Sequence, residues 1–143
     1  MINSFNGNYR FLSNFFESPV LFEKKVYPTV EHAYQAAKTT DDAAREKICR
    51  AKTPGSAKRI GRKVKLRPLW DTIKINIMYN LLKQKFTVHP ELYQQLLDTD
   101  NEELIEGNTW KDTFWGVCNG VGENWLGKLL MKVRKELQDA DKD

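Results

Sequence analysis

Histidine and cysteine are nearly absent from this chain. Its two cysteines, Cys49 and Cys118, form no CxxC pair, and its two histidines, His32 and His89, are isolated in sequence. Such spacing argues against a structural zinc site and leaves a His-based catalytic triad little to draw on. His32 and His89 are expected to be core or surface residues, His89 standing before Pro90 at a helix start. Long apolar runs are missing as well. Nothing approaches the roughly 20 residues that span a bilayer, and "MINSFNGNYR" has no apolar core of the signal-peptide kind. The expected location is cytoplasmic. Acid is missing from one region: between Lys47 and Trp70 stand nine Lys or Arg residues and no Asp or Glu. A patch of this kind attracts phosphate on a nucleotide, a sugar phosphate or a nucleic acid, unless acids from elsewhere in the fold neutralise it.

What remains is globular in character. With 143 residues, 41% of them hydrophobic and 29% charged, the chain can bury a core without metal or disulfide staples. One compact domain is expected over residues 1–138, followed by a frayed tail at 139–143. The aromatic, Asn- and Ser-rich start lacks helical period, and "PVLFEKKVY" reads as a hairpin. A helix follows, capped by Thr29. Its core face is Val30, Ala33, Tyr34 and Ala37, with Glu31, Gln35 and Lys38 as a polar stripe roughly 110° round the helix. Thr40 is a plausible cap for a second helix. Thr53 and Pro54 open a third, which stops at Gly61. The longest helix spans about 69–86, "HPELYQQLLDT" forms another, and Asn124 is the expected cap of a last helix over 124–138.

Before that last helix lies "EGNTWKDTFWGVCNGVGE", long and irregular, the kind of loop that tends to carry function. Gly116, Gly120 and Gly122 would permit positive φ or close approach to a ligand. The N-terminus of the following helix would favour an anion. "GVGENWLG" is nevertheless neither a dinucleotide fingerprint nor a P-loop. Trp110, Phe114 and Trp115 offer flat faces for a base or cover for the core. Asp112 among them is either a general acid or a turn-capping residue. Glu31 and Asp112 are candidate partners for breaking a glycosidic C–N bond, and Lys38 is a candidate phosphate ligand or amine nucleophile. The alternative for Glu31, Gln35 and Lys38 is ordinary side-chain pairing on a helix surface.

Taken in order, "FLSNFFESPVLFEKKVYPTVEHAYQAAK", "KFTVHPEL" and "WKDTFWGVCNGVGENWLGKLLMKVR" resemble the YbiA-like NADAR family over nearly the whole chain. The resemblance implies a mainly helical α+β domain with a short N-terminal hairpin. It implies N-glycosidase activity on ribosylated, usually phosphorylated, compounds: ribosylamino-pyrimidine phosphates of early riboflavin biosynthesis, or ADP-ribose on guanine. By motif it assigns Glu31, Lys38 and Asp112 to catalysis. Ser13, Asn14, Phe15, Gln35, Trp110, Trp115, Gly116 and Asn124 would bind substrate, the helix stripe and the loop forming two walls of a ribose pocket. No cofactor or resident metal is expected. The loop "WGVCNGVGEN" departs from the family's usual Trp-Gly-x-Gly or Asp-Gly, which bears on substrate choice. Two alternatives stand beside this reading. One is an enzyme directed to ADP-ribosyl-guanine in DNA or RNA, held by the basic 47–67 region; the other is a sensor that binds ADP-ribose or a nucleotide without turnover.

Overall fold

The computed structural model describes residues 1–142. The fold is mainly helical, with one two-stranded antiparallel hairpin. Its chain contacts group into two units, Met1–Ser13 with Phe86–Asp143, and Asn14–Lys85.

The unit Asn14–Lys85 begins with β1 (Val20–Phe22) and β2 (Lys25–Tyr27), paired with Val20 opposite Tyr27 and Phe22 opposite Lys25. The two-residue turn places Glu23 and Lys24 at φ 44° and 73°, the positive-φ pair that a tight hairpin with right-handed twist requires. Glu23 is held there by Arg45 at 2.7 Å and Arg67 at 3.3 Å. Helix α1 (Val30–Ala37) starts where the sequence indicates, with the Thr29 side chain accepting the His32 N–H. Its surroundings differ from expectation, because all eight of its residues are buried. Glu31 and Gln35 therefore lie inside the protein rather than on a surface-flanking stripe, as in a helix wrapped on every side.

Helix α2 (Asp42–Cys49) is capped by Asp41, whose carboxylate accepts the Ala44 N–H at 2.8 Å, so the cap is one residue later than Thr40. Helix α3 (Pro54–Gly61) has the expected Thr53 cap and N-terminal proline. Helix α4 spans Trp70–Val88. His32 is a satisfied core residue: Nδ1 lies 2.7 Å from Thr29 Oγ1 and Nε2 lies 3.0 Å from the Ala51 carbonyl.

Tyr27 is fully buried, and its hydroxyl has no hydrogen-bond partner among the described residues. Burial pushes its pKa up to about 12. An unpaired buried hydroxyl costs free energy that a phenyl ring does not. Tyr27→Phe should therefore raise stability by about 1 kcal/mol in urea denaturation.

The unit Met1–Ser13 with Phe86–Asp143 contains a 3-10 helix (Gly7–Leu12), α5 (Pro90–Leu97) and α6 (Trp125–Asp141). Leu92 and Leu96 of α5 are buried, as are Leu126, Leu129, Leu130, Val133 and Leu137 of α6, and the two helices pack together. Arg134 joins this core with Nη1 2.9 Å from Thr99 Oγ1. Helix α6 continues to Asp141, so residues 139–141 of the expected frayed tail are helical; Asp143 lies outside the described residues.

Candidate active site

The residues singled out by sequence fall into two groups, one in each unit. In Asn14–Lys85, α1 presents Glu31, Gln35 and Lys38 at successive turns. The Gln35 side-chain amide donates to Glu31 Oε2 at 2.6 Å, both residues being buried. Asn14 joins them from the preceding segment: its carbonyl accepts the Glu31 N–H at 3.1 Å, while its side-chain amide donates to Met78 Sδ at 3.5 Å. The side-chain oxygens of Asn14 and Gln35 are buried acceptors without a donor among the described residues. Such groups are costly unless a ligand or water supplies the missing bond. Phe15 is half-buried beside Asn14 in the chain.

Lys38 is the C-cap residue of α1, and its carbonyl accepts the Arg67 N–H at 2.7 Å. Its ammonium lies 5.6 Å from the Tyr34 ring centroid, and Tyr34 in turn meets Trp70 at 5.3 Å. Burial holds the Lys38 pKa below the usual lysine value; the Glu31 charge opposes this, while Lys58, Arg62 and Lys74 add to it. Carboxylate, carboxamide and an amine released more readily from its proton thus share one short helix.

Gly61 fixes where α3 meets α1. A Cβ added there would overlap Gln35 Oε1 and stand 2.9 Å from Gln35 Cβ. The second contact is with an atom anchored to the α1 backbone, so it cannot be relieved by a rotamer change alone. Gly61→Ala should cost roughly 1–3 kcal/mol by overpacking, read as a lower melting temperature.

In the other unit, Ser13 follows the 3-10 helix and its N–H donates to the Arg10 carbonyl at 2.9 Å. The loop ahead of α6 is tied down by its own side chains. Asn108 and Asp112 exchange bonds, Asn108 Nδ2 donating to the Asp112 carbonyl at 2.9 Å and the Asp112 N–H donating to Asn108 Oδ1 at 3.1 Å. Asp112 Oδ1 accepts the N–H groups of Phe114 at 3.1 Å and Trp115 at 2.9 Å. Of the two tasks the sequence left open for Asp112, this geometry displays the turn-holding one. Asn124 occupies the N-cap position of α6 at φ 55° but does not cap it through its side chain. Instead Oδ1 accepts the Glu106 N–H and Nδ2 donates to the Leu104 carbonyl, each at 2.9 Å, stitching the two ends of the loop together.

Two loop expectations need correction. The α6 N-terminus does not offer its first N–H groups to a phosphate, because Trp125 donates to the Phe114 carbonyl at 3.1 Å and Leu126 to that of Trp115 at 2.9 Å. Gly120 and Gly122 adopt positive φ, whereas Gly116 is needed for space: a Cβ there would overlap Glu106. Among the aromatics, Phe114 packs edge-on against Trp115 at 4.9 Å, while Trp110 is 58% exposed.

Lys85 escaped the sequence reading. It lies fully buried on α4, its ammonium 5.7 Å from the Phe16 ring centroid, and burial brings its pKa down to about 7. Its place at the head of "KFTVHPEL" was the available signal; a charged residue within an apolar helical stripe is easily read as surface.

Comparison with known proteins fits this architecture. The NADAR domain model matches residues 3–138. The chain belongs to the NADAR family. A relative named N-glycosidase YbiA from Shigella boydii is 40% identical, over 94% of this chain and 85% of its own length. A riboflavin biosynthesis protein of Vibrio vulnificus is 38% identical over 92% of this chain but only 36% of its own length. The NMR structure of Escherichia coli YbiA superposes with a TM-score of 0.86 at 36% identity, covering 100% of this chain and 90% of that one.

Proposed function

We propose that this N-glycosidase hydrolyses the C1′–N bond of ribosylated, phosphorylated substrates, and that the Glu31 group carries the chemistry. The reading draws on relatives named N-glycosidase and riboflavin biosynthesis protein. The observation that carries it is the buried Glu31–Gln35 pair with Lys38 on the following turn of the same helix.

Breaking the bond sends its electron pair to the departing nitrogen, which takes a proton from solvent, and leaves positive charge on C1′ and the ring oxygen. A carboxylate held by a 2.6 Å hydrogen bond is oriented before that charge develops, which is when electrostatic stabilisation is most effective. Glu31 stabilises the cation and accepts the proton of the water that adds to C1′. The unpaired oxygens of Asn14 and Gln35 suit the hydroxyl donors of ribose. Lys38, within reach of the charges of Lys58, Arg62 and Lys74, binds the substrate phosphate; its lowered pKa also suits attack on an opened sugar aldehyde. Within its own unit, the loop has Trp110 exposed, Asp112 holding the turn, and Asn124 tying its two ends.

The substrate is a ribosylamino-pyrimidine phosphate or ADP-ribose joined to guanine, encountered in the cytoplasm. Chromatography of released base decides between them, using each substrate separately. Release from either one supports the reading and selects the class. No release from both, with ADP-ribose still bound tightly, would make the protein a sensor.

A further inference from the structure

Between α2 and α3 opens a cavity of about 810 Å³, lined by Lys47 of α2, Arg59 and Ile60 of α3, and Lys63 and Lys65 just beyond α3. Its charge is lopsided. The carboxylate lining it is that of Asp41, which is already committed to the Ala44 N–H as the cap of α2. Arg59 is steadied by a 2.9 Å bond to Ser56 Oγ, and Lys47, Lys63 and Lys65 have no ion-pair partner among the described residues. Four cations around one concavity repel one another and focus a positive potential, a cost that an anionic ligand relieves.

This cluster is distinct from the cations near Lys38. Arg59 on α3 and Lys63 just beyond its end both line the cavity. Lys58 and Arg62 are residues whose charge reaches Lys38. Lys58 and Arg62 do not line the cavity, so the cations form two clusters, and two clusters suit a series of phosphates better than one.

We infer that the α2–α3 cavity is a phosphate site that holds the backbone of a nucleic acid strand, separate from the Glu31 group. The same chemistry would admit the polyphosphate of a free nucleotide, so both sources enter the test. Binding is read without turnover, so the result stands apart from the N-glycosidase reading.

The test uses the full chain, fluorescence anisotropy and a fluorescein-labelled single-stranded 15-mer DNA. The variants are Arg59→Glu with Lys63→Glu and, as a charge-matched control on α6, Lys132→Glu with Lys135→Glu. The α3 pair should weaken strand binding by roughly 20-fold or more and reduce the salt slope by about 1.4, the share of two phosphate contacts; the α6 pair should stay within about threefold of wild type. Unfolding curves accompany both. If the double reversal fails to fold, Arg59→Gln with Lys63→Gln should weaken binding in the same direction. Equal losses in the α3 and α6 pairs, or none in the α3 pair, would overturn the site. Displacement of the strand from wild type by micromolar ATP would overturn the strand as its ligand and assign the cavity to a nucleotide.

Discussion

Glu31→Gln is expected to lower base release by roughly 100- to 1,000-fold in kcat, with a much smaller change in KM. The substitution removes one charge and changes almost nothing else. Gln has the same reach, and its side-chain oxygen can still accept from Gln35, so the 2.6 Å bond that orients the group has a replacement. The lost term is the attraction between a fixed carboxylate and a cation present only as the bond breaks, which falls on kcat. Lys38→Met provides the contrast. A phosphate ligand contributes to ground-state binding, so its loss should raise KM, whereas an amine forming an imine would lose kcat as Glu31 does. Thermal melts of the two variants separate these effects from misfolding. Turnover near wild type in a folded Glu31→Gln protein would remove Glu31 from the mechanism.

Local stereochemistry made much of the fold legible in the sequence. Thr29, and Thr53 with Pro54, identify helix starts because each supplies what a helix end lacks, and the structure uses them accordingly. The hairpin was read from two short apolar runs in "PVLFEKKVY", although its turn is Glu-Lys rather than the usual Asn-Gly; the ion pairs of Glu23 with Arg45 and Arg67 accompany the uncommon backbone. For the second helix the sequence pointed to Thr40, whereas the folded chain uses the Asp41 carboxylate one residue later.

What stayed hidden depends on tertiary context. Periodicity assigns α1 a buried face and an exposed one, but burial of all eight residues depends on what covers its polar side. Asn124 looks like a cap because caps are local; its actual bonds reach Leu104 and Glu106, about twenty residues back. The anion site expected at the start of α6 failed for a related reason, since the loop's own carbonyls take the N–H groups a phosphate would need. At the candidate site, the stripe of Glu31, Gln35 and Lys38 was visible as a pattern. The hydrogen bond that joins two of its members, and the crowding at Gly61 that positions them, were not.

Lys85→Met is expected to abolish a steep dependence of stability on pH. Fully buried Lys85 has a folded-state pKa of about 7, set by burial, against about 10.4 for an unfolded lysine. Between those values the unfolded chain holds a proton that the folded protein has released, so stability rises with pH. Below about pH 7 both states are protonated and the full cost of burying the charge is present; above about 10.4 both are neutral. The span corresponds to on the order of 5 kcal/mol, so urea unfolding at pH 7, 8, 9 and 10 should show the wild type gaining stability relative to Lys85→Met at each step. At pH 7 the variant should be the more stable protein. Parallel profiles would mean that Lys85 keeps an ordinary pKa. Base release by the same variant then tells what the buried amine is for: near neutrality Lys85 is partly unprotonated, the form in which an amine attacks carbon or accepts a proton. A variant that gains stability yet loses turnover would place Lys85 among the working residues. Full turnover would leave it a structural lysine whose burial costs stability.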